Sequence, residues 1–100
     1  METYDVKLTP RALQDLDSIY TYIAQSLMEP DTALKLLSRL EDAIFSLEQL
    51  PQRGAVRKTG AYANRGYRQL LIEDYLAVYR IDEAKRQVIL LTVQYSHRKF

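Results

Sequence analysis

The chain of 100 residues contains no cysteine, one histidine, three glycines and three prolines. Without cysteine there is no disulfide scaffold, no thiolate zinc site and no cysteine nucleophile, and an uncrosslinked fold suits a reducing compartment. With a single histidine added to that, a structural zinc site is closed as well. No long apolar run occurs anywhere, and acids interrupt the first twenty residues, so neither a signal peptide nor a membrane span is expected and the protein is expected in the cytoplasm. No GxxxxGK[ST], GxGxxG or GxSxG pattern occurs, which leaves the two familiar nucleotide loops and the seryl-hydrolase elbow without support. The turn acids Glu73-Asp74 and Asp82-Glu83 read as solubilising rather than metal-binding. No cofactor is expected.

What is present is an ordinary globular composition, 47% apolar and 27% charged, in a length that suits one domain over residues 1–100. The net charge of +1 conceals a division. Residues 1–50 hold nine acids against four bases, whereas residues 51–100 hold ten bases against four acids. Between Arg53 and Arg68 there are five bases and no acid. A surface so unbalanced is expected to meet an anionic partner, and Arg53, Arg57, Lys58, Arg65 and Arg80 are the candidate target-binding or nucleic-acid-binding residues. The alternative is a solvated basic loop.

Periodicity supplies the architecture. Tyr4, Val6 and Leu8 alternate with Asp5 and Lys7, the pattern of a half-buried strand. Thr9 is a good N-cap, Pro10 suits the first helical position, and Leu13, Leu16, Ile19, Tyr20, Ile23 and Leu27 recur at helical spacing, which predicts a helix to about Leu27. Pro30 starts a second helix with Asp31 at its positive end, and Ala33, Leu37, Leu40, Ile44 and Leu47 carry it to about Leu50. So short a link makes the two helices an antiparallel hairpin. Pro51 to Gly66 reads as an irregular connection long enough to suggest function. Strands are then expected over 67–72, 75–81 and 88–95, the first two joined at Glu73-Asp74 and the last central to the sheet. The order βααβββ gives an α+β domain, a helical hairpin packed on a small antiparallel sheet.

The chemistry-bearing residues form a basic, aromatic group: Arg65, Tyr67 and Arg68 where the first of these late strands begins, Arg80 at the end of the second, and Tyr95, His97 and Arg98 at the end of the third. Antiparallel pairing is expected to bring such ends together. Cleaving a phosphodiester through a 2′-hydroxyl needs cations around the phosphate, a base and an acid, roles that arginines, a histidine and a tyrosine supply without a metal. Tyrosines also offer faces on which bases stack. Most of the eight tyrosines are expected instead to fill the edge of the core with their hydroxyls in water.

The chain resembles the RelE/ParE superfamily of toxins from bacterial type II toxin-antitoxin systems. The resemblance rests on the first-helix run from Asp15 to Ile23, the hinge Leu50-Pro51-Gln52-Arg53-Gly54, Gly66-Tyr67-Arg68, the run from Tyr75 to Asp82, and the closing Tyr95-Ser96-His97-Arg98. It implies the same hairpin-on-sheet fold and a cognate antitoxin, encoded beside the toxin, that wraps and silences it and through which the complex binds operator DNA. It implies one of two targets. RelE-like members cut mRNA in the ribosome, with Arg68 and Arg98 here in the place of phosphate ligands and His97 with Tyr95 in the place of acid and base. ParE-like members poison DNA gyrase without hydrolysis. The long hairpin and the Leu-Pro-x-Arg-Gly motif are similar to ParE, and Leu76 stands where RNase members place an arginine, while the Tyr and His ending is similar to some RNases. A non-toxic member that binds its antitoxin and represses the operon is the third reading.

Overall fold

The computed structural model describes residues 3–97. Its elements run β1 (Asp5–Leu8), α1 (Pro10–Thr21), a wide π-helical turn (Tyr22–Ser26), α2 (Pro30–Phe45), a 3₁₀ turn (Ser46–Glu48), β2 (Ala55–Val56), β3 (Arg68–Ile72), β4 (Tyr75–Asp82) and β5 (Gln87–Tyr95). The strands form one sheet in the order β1-β5-β4-β3-β2. The helical hairpin lies across one face of it, and the fold is α+β as the periodicity indicates.

Two features of the sheet go beyond the expectation. It is mixed rather than wholly antiparallel, because β1 pairs with β5 in parallel, Asp5 opposite Gln87 and Leu8 opposite Leu90. The hairpin carries the chain back over the sheet before the late strands begin, and β5 is left running in the same direction as β1. The basic connection also contributes a fifth strand of two residues, with Ala55 opposite Gln69 and Val56 opposite Arg68. A strand that short has too few residues to show any alternation.

Local chemistry sets the element boundaries. Thr9 caps α1 by accepting from the Ala12 N–H at 3.1 Å, and its hydroxyl donates to the Leu91 carbonyl at 2.9 Å, so the cap also fastens the helix to β5. The Thr9 N–H donates to the Leu90 carbonyl. At its far end α1 widens, the Leu27 N–H reaching the Tyr22 carbonyl at 3.1 Å. Met28 takes a left-handed φ of 56° and Pro30 opens α2. Between β3 and β4 the two-residue turn has Glu73 at φ 55°, a conformation that costs a non-glycine residue about 1–2 kcal/mol.

The core lies between hairpin and sheet. Leu16, Leu40, Ile44 and Leu47 meet Leu70, Ala77, Tyr79, Val88, Leu90 and Val93, all buried. A bulge in the β4/β5 ladder puts Val78 opposite Thr92 and Tyr79 opposite Leu90, leaving Leu91 as the additional residue, so that Leu90 and Val93 both point to the helices. Among the described residues no helix is long and apolar enough to cross a membrane.

Candidate functional site

The β-ladder divides the residues that the sequence groups together. Arg68 opens β3 and pairs with Tyr79 near the end of β4, with Arg80 next along that strand. Tyr95 ends β5 and pairs with Tyr75 at the start of β4, beside Ile72 at the end of β3. Arg68 and Tyr95 therefore stand about 13 Å apart along the strands and about 10 Å across them. The expectation that antiparallel neighbours bring all these strand ends together is corrected here. A hairpin sets the start of one strand beside the later part of the next, and with three strands the first start and the third end lie at opposite ends of the sheet.

At one end, Tyr95 and His97 are exposed and their rings lie 4.9 Å apart. The Tyr75 ring meets Tyr95 edge-on at 5.8 Å. His97 Nε2 is 3.5 Å from Asp74 Oδ1, and the Ser96 N–H donates to the Asp74 carbonyl at 2.7 Å, so the β3/β4 turn holds the chain where it leaves β5. Burial raises the Tyr75 hydroxyl above its ordinary pKa, and the charges that Tyr95, Asp74 and Tyr22 carry or acquire add to the rise. Arg98 lies outside the described residues.

At the other end, three of the basic candidates bind their own chain. Tyr79 is wholly buried, its hydroxyl donating to the Pro51 carbonyl at 2.7 Å and accepting from the Gly54 N–H at 2.9 Å. Burial raises this hydroxyl also above its ordinary pKa, against the lowering effects of the Gly54 N–H, Arg68 and Arg53. Arg68 Nη1 donates to the Gly54 carbonyl at 2.7 Å, and Arg53 Nη1 donates to Ser46 Oγ at 2.6 Å. The Leu-Pro-x-Arg-Gly motif is thus a clasp that ties the end of the hairpin to the middle of the sheet. Glycine is required in it, because a Cβ at residue 54 would lie 2.5 Å from the Gln69 carbonyl oxygen and 2.7 Å from the Tyr79 hydroxyl.

Arg57 is buried, its Nε donating to the Ala61 carbonyl and its Nη1 to Gln69 Oε1 at 2.8 Å. It braces the loop between β2 and β3, which its backbone also crosses by bonds to Tyr67 and Asn64. Tyr62 packs edge-on against Tyr67 in that loop, 5.2 Å between centroids. Lys58, Arg65 and Arg80 are exposed, and their side chains make no hydrogen bond or ion pair with a described residue. Among the described basic candidates, these three are the ones that the fold leaves for a partner. Among the described residues no group of three or more His, Asp or Glu side chains is placed to hold a metal ion.

Sequence reasoning passed over Asp15. It lies on the helix face of Ala12, Leu16 and Ile19, a carboxylate within an apolar stripe, and that placement is the signal that marks it. Beyond Leu8 the edge of β5 has no strand beside it. Asp15 Oδ2 takes the Val93 N–H there at 3.1 Å and the Thr92 hydroxyl as well. Gln94 in turn donates to Thr92 Oγ1 at 2.8 Å. Between α1 and this end of β5 opens a cavity of about 690 Å³ lined by Asp15, Ile19, Tyr22, Tyr75, Gln94 and Tyr95, among others.

Comparison with known proteins agrees with the architecture. The family described as ParE toxin of type II toxin-antitoxin system, parDE, matches residues 6–100. Among solved structures, the chromosomal ParDE system of P. aeruginosa contains a chain 26% identical, with a TM-score of 0.76 over 93% of this chain and 96% of that one. The RelBE2 toxin-antitoxin complex of Mycobacterium tuberculosis gives 24% identity and a TM-score of 0.70 over 95% and 93%. The archaeal RelE-RelB complex of Pyrococcus horikoshii gives 19% and 0.63 over 96% and 98%, a likeness of fold. A comparison with curated proteins finds no match. With a family match that spans nearly the whole chain, the protein belongs to the ParE toxin family of type II toxin-antitoxin systems, within the RelE/ParE superfamily.

Proposed function

We propose that this toxin arrests growth by poisoning DNA gyrase rather than by cutting mRNA, and that a cognate antitoxin silences it. The observation that carries the choice is the separation of Arg68 from Tyr95 and His97. A phosphate placed between Tyr95 and His97 would be without Arg68, whose guanidinium starts from the other end of β3 and already donates to Gly54. Metal-free phosphodiester cleavage needs these groups on one phosphate. Leu76 at the start of β4 adds no cation. The 26% identical relative is the toxin of a ParDE system, which favours the same branch.

In this reading Lys58, Arg65 and Arg80 face gyrase or its DNA, and Arg53, Arg57 and Arg68 hold the surface in shape. The antitoxin presents an acidic segment that orders on the basic half, steered by charge, and the complex reaches operator DNA through the antitoxin. That three solved relatives are parts of toxin-antitoxin systems supports such a partner.

The test is induction of the toxin alone in a susceptible host, following DNA synthesis, the SOS response, pulse-labelled protein synthesis and mRNA ends. Filamentation and DNA breaks with translation continuing, unchanged by His97→Ala, is the expected result. Collapse of translation within minutes, with cuts inside codons that His97→Ala abolishes, establishes the RNase in its place. Unimpaired growth favours the co-repressor.

A further inference from the structure

The cavity between α1 and the end of β5 belongs neither to the clasp nor to the basic surface, and its chemistry has the opposite sign. Three tyrosines line it together with one carboxylate. Tyr22 and Tyr95 are about half exposed, at 58% and 45%, whereas Tyr75 is half-buried, its hydroxyl raised in pKa first by burial and then by the neighbouring Tyr95, Asp74 and Tyr22. Tyr22 opens the π-helical turn, a wide-turn geometry that recurs at functional sites. Helical spacing brings Asp15, Ile19 and Tyr22 onto one side of the cavity, and the β4/β5 pair brings Tyr75 and Tyr95 onto the other.

Asp15 is a carboxylate with capacity to spare. Its Oδ2 serves Thr92 and Val93, with Arg11 Nε at 4.0 Å, while Oδ1 accepts no hydrogen bond from a described residue. Gln94, whose amide nitrogen is spent on Thr92, adds a carbonyl acceptor to the same lining. Aromatic faces attract a cation, and a planar guanidinium both stacks on tyrosine and forks onto carboxylate oxygens. The surroundings add negative charge too, since Asp74 and Glu73 in the β3/β4 turn act on the Tyr75 hydroxyl.

We infer that this cavity is a receptor for an arginine side chain presented by a partner polypeptide, its guanidinium between the tyrosine rings and on Asp15. The half-exposed Tyr22 and Tyr95 form the rim on which residues flanking that arginine rest. The inference uses neither the basic surface nor His97, and it shares with the mRNA-cutting reading only Tyr95, at the rim.

The test is a titration of the purified, nitrogen-15-labelled full chain with an acetylated, amidated Gly-Arg-Gly tripeptide, followed by amide NMR shifts. The neutral citrulline analogue is the control. The expected result is a dissociation constant on the order of 1 mM for the arginine peptide, with perturbations confined to residues 15–22, 74–76 and 92–96. Citrulline and the Asp15→Asn variant are each expected to weaken binding about tenfold, the worth of one charge-assisted contact. Asparagine keeps an acceptor for Thr92 and Val93. Should that variant nevertheless lose its fold, Tyr22→Ala removes an exposed ring outside the core and is expected to weaken binding about threefold, within the usual worth of a cation-π contact. Equal binding of the arginine and citrulline peptides, shifts centred elsewhere, or no shifts at all overturns the inference.

Discussion

Replacing Tyr79 by phenylalanine removes one oxygen atom from the clasp and leaves the ring in place. That oxygen serves two backbone groups, the Gly54 N–H at 2.9 Å and the Pro51 carbonyl at 2.7 Å. Gly54 is buried and a phenyl edge cannot accept, so its N–H loses its only acceptor among the described residues, at a cost of about 1–3 kcal/mol. The partly buried Pro51 carbonyl forfeits a further contribution of about 1 kcal/mol. Together these predict a loss of about 2–4 kcal/mol, a large share of the roughly 5–15 kcal/mol by which a domain of this size is stable. At this chain length that corresponds to a fall in Tm of about 10–25 °C. Urea and thermal unfolding followed by far-ultraviolet circular dichroism, on the wild type and Tyr79→Phe, measure it. A loss under about 0.5 kcal/mol would show that water replaces the hydroxyl, and the account of the clasp would then be wrong.

Gly54→Ala should be at least as damaging as that change, because backbone oxygen at 2.5 Å from the added methyl cannot move aside as a side chain could; soluble yield and the urea midpoint report it. Since burial raises the Tyr79 and Tyr75 hydroxyls above the ordinary value of 10.0, the folded state favours their protonated forms. Their contribution to stability is complete below pH 10 and is lost as pH rises through the higher folded values, so alkaline unfolding should shift to higher pH in Tyr79→Phe relative to that variant's own neutral stability. Arg57→Ala should leave the sheet in place while amide hydrogen exchange speeds up across residues 57–67, since its guanidinium bridges Ala61 and Gln69; unchanged exchange would remove Arg57 from that bracing role. If Lys58, Arg65 and Arg80 are the phosphate contacts of the toxin, affinity for duplex DNA should fall with salt on a log-log slope of about −3, and the triple alanine variant should flatten it.

Periodicity was enough for the hairpin and the three long strands, because each carries several apolar residues at a fixed spacing and each is bounded by proline or a polar turn. Thr9 and Pro10 marked the start of α1 to the residue. The end of that helix was less legible, since the widening at Tyr22 depends on how α1 passes the end of β5 and leaves no mark in the spacing of Ile19, Ile23 and Leu27. The hinge was visible as a motif, but its purpose was not. Only the register shows that Tyr79, twenty-five residues downstream of Gly54, supplies the hydroxyl that closes it. That finding also departs from the expectation that tyrosine hydroxyls reach water. Charge counting found a basic stretch and could not tell which cations were consumed internally, a distinction that separates Arg57 from Lys58 although they are neighbours. Arg68 and His97 stand apart for a topological reason, since the sequence places residues at strand ends without saying which ends are adjacent.

The parallel pairing of β1 with β5 bears on when the fold can be completed during synthesis. Asp5 and Gln87 are partners 82 positions apart in the sequence, and the Thr9 cap and the Asp15 carboxylate both find their β5 partners at similar range. Closing so long a loop costs entropy that local contacts cannot return in advance, so this edge of the fold forms late. During synthesis the hairpin can assemble early, but the sheet has no second side until β5 has left the ribosome. A nascent chain therefore stays incomplete until β5 has been made, an interval in which an antitoxin can meet it.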